Sequence, residues 1–428
     1  MSAYQSPIAP GRSWYEDSCG ERPTYRALEG DLDVDVAIVG GGFCGLSTAL
    51  HLAQNGARVA LLEANRLGDG ASGRNGGQMG SGQRGDIFEL EKQLGLQRSR
   101  ALWDMAEDAK KNLLETTKTH SFDCDYQIGQ LTPMHKRRYE AEAQAKVEHL
   151  QNKYNYAPIS YLSQPEMAKK LGSSAYFGGI MDMGTGHIHP MKYVIGLAAV
   201  AARSGARIHE QTAVTRMQKR GKFALKTPMG TVSAERVVLA LNGYHGDIRP
   251  ELANHVLPIQ SFIGATVPLE ENTTVLPHMH AVDDSRFVVR YFRKSKDNRL
   301  LFGGREAYGK SRPGDIERAI RKQITEIYPH LAKTEITHAW GGNVAITLPR
   351  MPFVRELEPG LWTAGGFSGH GVMLSNHTGR MIAEHFVGKS EQIKLLKELK
   401  IPGFPGGTLL RNPLKVLALT WYAMLDRV

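Results

Sequence analysis

The feature that most constrains this chain is residues 34–63, which read VDVAIVGGGFCGLSTALHLAQNGARVALLE. The apolar runs at 34–39 and 58–62 predict buried parallel strands, and the segment 43–55 between them predicts a helix. Gly40, Gly42 and Gly45 stand where a tight turn, a pyrophosphate and a close helix–strand contact need glycine. Glu63 ends the second strand, where a carboxylate accepts hydrogen bonds from an adenosine ribose. The stretch therefore predicts a dinucleotide-binding βαβ unit; a glycine-rich turn of an unrelated α/β domain is the alternative.

Three further segments have the composition of nucleotide-binding loops. The loop 64–78, ANRLGDGASGRNGGQ, offers many unencumbered N–H groups, which favours the long cofactor FAD over NAD; a merely flexible loop is the alternative. The segment 190–216 predicts a helix followed by strands, and 235–241 predicts a buried strand that ends at Asn242. The segment 361–384 repeats strand, glycine turn and helix, and its helix N-terminus is expected to stabilise negative charge on a flavin.

Composition and charge limit the class of function. With 428 residues, 41% hydrophobic and 22% charged, the chain is typical of a globular enzyme of two domains. Its net charge of +10 comes from scattered Lys and Arg, so we expect a basic surface and no nucleic-acid partner. Neither a signal peptide nor a membrane span is expected, because no apolar run approaches about 20 residues. The three cysteines form no spaced pair, which suits the cytoplasm and predicts no metal site.

The sequence resembles a known family over nearly the whole chain. The opening VGGGFCGLSTALHLAQNGARVALLEANRLGDGASGRNGGQ, the middle GHIHP and the C-terminal GGFSGHGV resemble the D-amino-acid-oxidase/glycine-oxidase family of FAD enzymes. Within that family, DCDY at 123–126, DNRLLFGG at 297–304 and FPGGTLLRNP at 404–413 resemble oxidases of gamma-glutamylated amines in polyamine catabolism. The resemblance implies hydride transfer from the amine-bearing carbon to flavin N5. The products are an aldehyde and ammonia, and oxygen is the expected acceptor, giving hydrogen peroxide.

The resemblance also assigns residues to FAD. By position it assigns Gly40, Gly42, Gly45, Glu63, Ser72, Gly73, Arg74, Asn75, Gly76, Val214, Gly366, Gly369, His370, Gly371 and Val372. The same loops add Phe43, Cys44, Ala64, Arg66, Ala71, Gly77, Asn242 and Ser368. Some relatives bind flavin covalently through Cys or His. Here the segment 340–347 has no Cys and 70–78 has no His, so FAD is expected to be non-covalent.

The predicted fold class is α/β, with a discontinuous Rossmann-like FAD-binding domain and an α+β substrate domain that contains an antiparallel sheet. The FAD-binding domain is assigned to 1–85, 186–246 and 339–390. The substrate domain is assigned to 86–185 and 247–338, and 391–428 to a C-terminal extension with a terminal helix. Helical periodicity predicts helices at 87–93, 97–119 and 136–155, and alternation predicts a hairpin at 287–302.

Four residues are candidates for the substrate side. Tyr291 and Arg293 share one face of the predicted hairpin strand, where Arg293 would bind a substrate carboxylate; a solvent-facing hairpin is the alternative. His370 either contacts flavin or substrate or makes local hydrogen bonds. His187 either borders the active site or, like His189, is a satisfied structural histidine, which is favoured.

Other functions and partners stay open at this stage. A sarcosine- or glycine-type oxidase, a D-amino-acid oxidase or membrane-linked dehydrogenase, and a non-catalytic flavin carrier compete with the oxidase of a small-molecule gamma-glutamyl amine. The apolar helix predicted from Pro413 either packs on the body or a second subunit, which is favoured, or lies on a membrane surface. The sequence does not define the oligomeric state.

Overall fold

The computed structural model describes residues 11–246, 248–307 and 313–405, without the side chains of 305–314. The strands in chain order are β1 Leu32–Val39, β2 Val59–Leu62, β3 Gln127–Pro133, β4 Ile159–Leu162, β5 Gly179–His187, β6 Arg207–His209, β7 Arg216–Arg220, β8 Lys222–Lys226, β9 Thr231–Leu239, β10 Leu257–Pro268, β11 Ala281–Asp283, β12 Tyr291–Lys294, β13 Arg299–Ala307, β14 Ile336–Ile346, β15 Phe353–Glu358 and β16 Leu361–Gly365. The helices are α1 Trp14–Ser18, α2 Phe43–Gln54, α3 Ile87–Leu94, α4 Leu96–Thr119, α5 Glu140–Tyr154, α6 Gln164–Leu171, α7 Pro190–Arg203, α8 Pro313–Ile327, α9 Gly371–Phe386 and α10 Lys394–Lys397.

The first sheet places β1 near its centre. Its strands follow the order β15-β16-β9-β1-β2-β6, and β7 and β8 continue beside β9. β1 pairs in parallel with β2 on one side and β9 on the other. β2 is buried along its whole length, as an apolar strand covered on both faces must be. α2 packs against α7 and α9, so the predicted βαβ unit lies inside this layer.

The second sheet is mostly antiparallel and follows the order β14-β10-β13-β12-β11-β3-β5-β4. α8 packs against β10, β13 and β14. A separate apolar core that includes Phe262, Phe292, Phe302 and Tyr328 fills the space beneath this sheet. Together the two sheets confirm the predicted fold class.

Several element bounds differ from the predicted ones. The hairpin strand begins at Tyr291 rather than at 287, because Asp284 Oδ1 accepts the backbone N–H groups of Arg286 and Arg290 and holds the intervening chain in a turn. The segment 136–155 divides into a short 3-10 turn, Arg137–Tyr139, and α5. β14 pairs with β10 in the second sheet, although the predicted domain boundary at 338 crosses it. The division into two domains itself stays a prediction.

The predicted C-terminal helix from Pro413 lies outside the described residues. Among the helices of the described ranges, none is long and apolar enough to cross a membrane.

Candidate active site

A single cavity of about 1780 Å³ is lined by residues of both sheets. Pockets for small ligands typically measure about 300–1,000 Å³. The cavity is therefore large enough for a dinucleotide together with a second, smaller molecule.

The turn from β1 into α2 forms one wall of this cavity. Gly40 has φ +110°, which only glycine adopts readily. A Cβ on Gly45 would lie 2.0 Å from the carbonyl oxygen of Gly40, so glycine lets α2 begin close to β1. The first residues of α2, Phe43 and Cys44, line the cavity, and the N-cap makes no side-chain hydrogen bond. Such a helix end favours an anion.

Glu63 ties the end of β2 to the same turn. Its carboxylate accepts hydrogen bonds from the backbone N–H groups of Gly41 at 2.6 Å and Asn65 at 2.9 Å. Burial raises the pKa of Glu63, and these two bonds act in the opposite direction. A carboxylate has about four lone-pair sites, so capacity remains for hydroxyl donors. Because Glu63 lines the cavity, it fits the predicted contact with a ribose.

The loop 64–78 contacts the start of α2 through a serine hydroxyl and not through its arginines. Ser72 Oγ accepts the backbone N–H of Phe43 at 3.0 Å, and a Cβ on Gly42 would lie 2.7 Å from that oxygen. Arg74 is buried and donates to the carbonyl oxygens of Gly341 and Gly11 and to the carboxylate of Glu16. This guanidinium therefore holds the N-terminal segment to β14, which the sequence did not suggest.

The turn between β16 and α9 forms a third wall. The side-chain oxygen of Asn242 accepts the backbone N–H of Gly366 at 3.0 Å, which joins the end of β9 to this turn. Ser368 Oγ accepts the backbone N–H of Thr347 at 3.2 Å. The N-terminus of α9 opens into the cavity at Gly371. The positive end of a second helix dipole thus faces the same space as that of α2.

His370 precedes α9 and lines the cavity. Its Nε2 is buried and has no hydrogen-bond partner among the described residues. Burial, aided by the charges of Arg84 and Lys110, lowers the pKa of His370 to about 3. The imidazole is therefore neutral near pH 7 and has a nitrogen for a ligand.

Tyr291 brings the second sheet against the glycine loop. Its hydroxyl lies 3.0 Å from Ser261 Oγ on β10. A Cβ on Gly303 would lie 2.2 Å from the ring, and a Cβ on Gly76 would lie 2.9 Å from it. The ring is thus held between β13 and the loop 76–77, and it lines the cavity as predicted for the substrate side.

A buried polar network adjoins this wall and was missed by sequence analysis. Lys110 on α4 donates to Ser81 Oγ at 2.7 Å and to Tyr156 OH at 3.2 Å, and pairs with Glu107. Ser81 and Tyr156 in turn donate to Asp182, at 2.6 and 2.7 Å. No local pattern marks these residues, because they come from four separate segments of the chain.

The predicted cofactor residues fall into two groups, those that line the cavity and those that do not. Those that line the cavity are Gly40, Gly42, Phe43, Cys44, Glu63, Ala64, Ala71, Ser72, Arg74, Asn75, Gly76, Gly77, Val214, Asn242, Ser368, Gly369, His370, Gly371 and Val372. Those outside its lining are Gly45, Arg66, Gly73 and Gly366. A Cβ on any of the three glycines would lie within 2.6 Å of neighbouring atoms, so they serve close packing. Arg66 donates to the carbonyl of Arg22.

Arg293 and His187 lie outside the cavity lining. Arg293 is 3% exposed and donates to the carbonyl oxygens of Gly76 and Ile188 and to Tyr15 OH. His187 Nε2 lies 2.9 Å from the carbonyl oxygen of Met279, and burial lowers its pKa. These contacts are structural, and they leave Tyr291 and His370 as the substrate-side candidates that reach the cavity.

The sequence and fold match known proteins over most of their length. The family model described as DAO, FAD dependent oxidoreductase, matches residues 35–385. The chain is 52% identical over 425 residues to the probable oxidoreductase OrdL of Rhizobium meliloti (strain 1021), covering 99% of each protein. It is 35% identical over 419 residues to the gamma-glutamylputrescine oxidoreductase of Escherichia coli (strain K12), covering 97% of this chain and 98% of that one.

Among solved structures, L-proline dehydrogenase from P. horikoshii superposes with a TM-score of 0.73 and 21% identity. The match covers 86% of this chain and 97% of that one. At this identity the likeness concerns the fold.

Proposed function

Because the chain belongs to the DAO family of FAD-dependent oxidoreductases, we propose that it oxidises a small amine at the carbon next to nitrogen, with gamma-glutamylputrescine as substrate. The family predicted from the glycine loops and its dependence on FAD are confirmed. The observation that carries the proposal is that the FAD-fitting loops, the neutral imidazole of His370 and the ring of Tyr291 face one cavity. The 35% identity to the relative named for this substrate supports the choice of amine.

The residues that would hold FAD follow from the three loops. Glu63 offers a carboxylate to the ribose, and the N-terminus of α2 offers N–H groups to the pyrophosphate. The α9 N-terminus offers a positive dipole end to the flavin ring system. The chemistry that FAD supplies is acceptance of a hydride equivalent from the amine-bearing carbon.

The side chains near the reacting end suit a neutral amine. Donation of hydride requires the nitrogen lone pair, so the amine must be unprotonated. His370 is uncharged over the working pH range, and within the described part of the chain its Nε2 has no hydrogen-bond partner, so it can orient the amine without stabilising its protonated form. Tyr291, fixed between Gly303 and Gly76, closes the cavity beside the loop and excludes water there.

Several cations among the residues that line the cavity suit an anionic group. They are Arg84, Arg138, Lys146, Arg286 and Arg350. Several of these cations already have carboxylate partners, as Arg286 has Asp284 and Lys146 has Asp86. Carboxylates such as Glu89 and Glu142 line the cavity as well, so we propose that a substrate carboxylate, as the glutamyl group provides, binds one of these cations through a charge-assisted contact.

The test is a panel of amines oxidised by the purified FAD-loaded protein, with peroxide, aldehyde and ammonia quantified. We expect gamma-glutamylputrescine to exceed free putrescine in kcat/KM by at least about tenfold, the effect of one charge-assisted contact. Equal rates would refute the role of the glutamyl group. Faster turnover of glycine, sarcosine or a D-amino acid would replace the proposed substrate.

The electron acceptor is tested separately, with the same substrate under air and under argon with a soluble quinone. Oxygen is the proposed acceptor, so one peroxide should form per amine consumed. Turnover that requires the quinone would identify a dehydrogenase instead.

A further inference from the structure

A row of polar side chains crosses the second sheet on the face that lines the cavity. Tyr291 on β12 is directly opposite Asp283 on β11, and Gln130 on β3 is directly opposite Asp182 on β5. Gln130 Nε2 donates to Asp283 Oδ2 at 3.0 Å and joins the two pairs. All four side chains line the cavity. With strands about 4.8 Å apart, the row spans roughly 14 Å away from Tyr291.

The two carboxylates of this row differ in how the protein satisfies them. Asp182 accepts hydrogen bonds from Ser81 Oγ, from Tyr156 OH and from the backbone N–H of Gly184. Asp283, within the part of the chain that the structure describes, accepts one hydrogen bond, from Gln130, and has no ion pair within 4.0 Å. Asp283 is therefore a carboxylate at the cavity that has no bonded cation among the described residues, and the nearby charge of Arg84 acts on it without an ion pair within 4.0 Å.

A second acceptor lies beside it. Gln130 is 9% exposed, and its Oε1 has no hydrogen-bond partner among the described residues. Because Nε2 is directed to Asp283, the amide presents its oxygen as an acceptor. A buried acceptor without a donor costs free energy, so a ligand that brings several N–H groups is favoured at this position.

We propose that Asp283 and Gln130 bind a protonated amino group of the substrate that is not the one oxidised. This assignment rests on the proposed amine oxidation. A carboxylate stabilises the protonated form of a nearby amine, which would oppose hydride donation from that nitrogen. The reacting nitrogen therefore belongs with the neutral His370, and the Asp283 subsite holds a nitrogen that stays charged. In gamma-glutamylputrescine this is the α-ammonium group of the glutamyl end.

The test compares two substrates that differ by this amino group alone. N-glutarylputrescine has the carboxylate, amide and reacting amine of gamma-glutamylputrescine but lacks its α-ammonium group. For the holoenzyme we expect kcat/KM to be about 10- to 100-fold lower for N-glutarylputrescine, the effect of a charge-assisted hydrogen bond. Asp283→Asn should lower kcat/KM for gamma-glutamylputrescine by a similar factor and leave N-glutarylputrescine nearly unchanged.

The matched control is Glu142→Gln. Glu142 is an exposed carboxylate of α5 that lines the same cavity, so this variant removes the same charge. It should preserve the ratio between the two substrates. Equal kcat/KM for both substrates in the unmodified enzyme, or an equal loss of both in Asp283→Asn, would overturn the subsite and leave the proposed oxidation intact.

Oxidation of neither compound would instead overturn the proposed function. The subsite is then judged by binding, from the change in flavin absorbance on titration with putrescine and with butylamine. Tighter binding of putrescine that is lost in Asp283→Asn supports the subsite. Equal binding of the diamine and the monoamine rejects it.

Discussion

The imidazole of His370 lies so close to Gly80 that a Cβ built on that glycine would be 2.1 Å from His370 Cε1. Gly80 also has φ +58°, so Gly80→Ala should combine a backbone cost with displacement of the ring. Gly20→Ala is the matched control, because Gly20 has φ +78° and no atom within 4 Å of an added Cβ. Both variants should lose about 1–2 kcal/mol of unfolding free energy to backbone strain, and Gly80→Ala should lose more because its Cβ displaces the ring. Only Gly80→Ala should also lose kcat/KM, and equal activity in the two would show that the ring position is unimportant.

Glu63 should determine how tightly FAD is held. Glu63→Gln keeps the side-chain volume but removes the charge that accepts the Gly41 and Asn65 N–H groups and the expected ribose hydroxyls. The FAD Kd should rise by about 1–3 kcal/mol in binding free energy. Asp69→Asn makes the same charge change outside the cavity lining and should leave the Kd within a few-fold. Flavin fluorescence quenching measures both, and an unchanged Kd in Glu63→Gln contradicts the assignment.

FAD should be released by acid. The segment 340–347 contains no cysteine, and Cys44 at the first turn is buried, with a pKa that burial raises to about 12. Neither supplies a reactive thiolate for attachment. After precipitation with trichloroacetic acid the yellow colour should stay in the supernatant. Flavin fluorescence of the denatured protein band on a gel would show a covalent link.

Arg293→Ala should act on stability rather than on substrate binding. Three of its four hydrogen bonds join the second sheet to Gly76, Ile188 and Tyr15, and its removal leaves buried acceptors without donors. We expect a loss of about 2–5 kcal/mol of unfolding free energy. Arg290→Ala breaks a pair with the partly exposed Glu326 and should cost at most about 1 kcal/mol. A raised KM with unchanged stability in Arg293→Ala would restore its predicted role in carboxylate binding.

Binding at Asp283 should depend on pH. Burial raises the pKa of Asp283 to about 7. The nearby charge of Arg84 lowers this pKa, and that of Asp284 raises it. Gln130 donates a hydrogen bond to Asp283, and Tyr291 lies opposite it on β12. Below about pH 7 the carboxyl is protonated, so KM for gamma-glutamylputrescine should rise as the pH falls, while KM for N-glutarylputrescine should not. Parallel pH profiles for the two substrates would contradict this.

The raised pKa of Asp283 affects stability in the opposite direction to substrate binding. Between about pH 4 and 7 the folded protein holds a proton that the unfolded chain releases, so stability falls as the pH rises through this range. Asp283→Asn removes this loss of stability, so it should stabilise the protein by about 1–3 kcal/mol above pH 7 and have little effect at pH 4. Urea unfolding at the two pH values measures it.

The cofactor half of the molecule could be predicted because its signals are local. The turn from β1 into α2 is specified by glycines within six residues and by apolar runs on both sides, and Glu63 follows at a fixed spacing. The substrate wall could not be predicted in this way. Asp182, Asp283 and Gln130 meet because three distant strands pair in register, and no spacing in the chain encodes that pairing.

Arg293 shows where alternation along a strand stops being sufficient. It lies on the same strand face as Tyr291, as predicted, and both side chains approach Gly76. Although Tyr291 and Arg293 are only two residues apart on β12, the Tyr291 ring lines the cavity and the Arg293 guanidinium is buried against backbone carbonyls. Alternation specifies the side of the sheet, and the loop packed against it determines which position faces open space.

The place of β1 between β2 and β9 has a consequence for synthesis in the cell. β2 leaves the ribosome soon after β1, but β9 follows about 190 residues later. At about 5–20 residues per second, one edge of β1, in which four of the eight residues are valine or isoleucine, stays unpaired for roughly 10–40 s. An unpaired apolar edge is an aggregation site. The nascent chain thus passes through an interval in which a chaperone that covers apolar strands would protect it from aggregation.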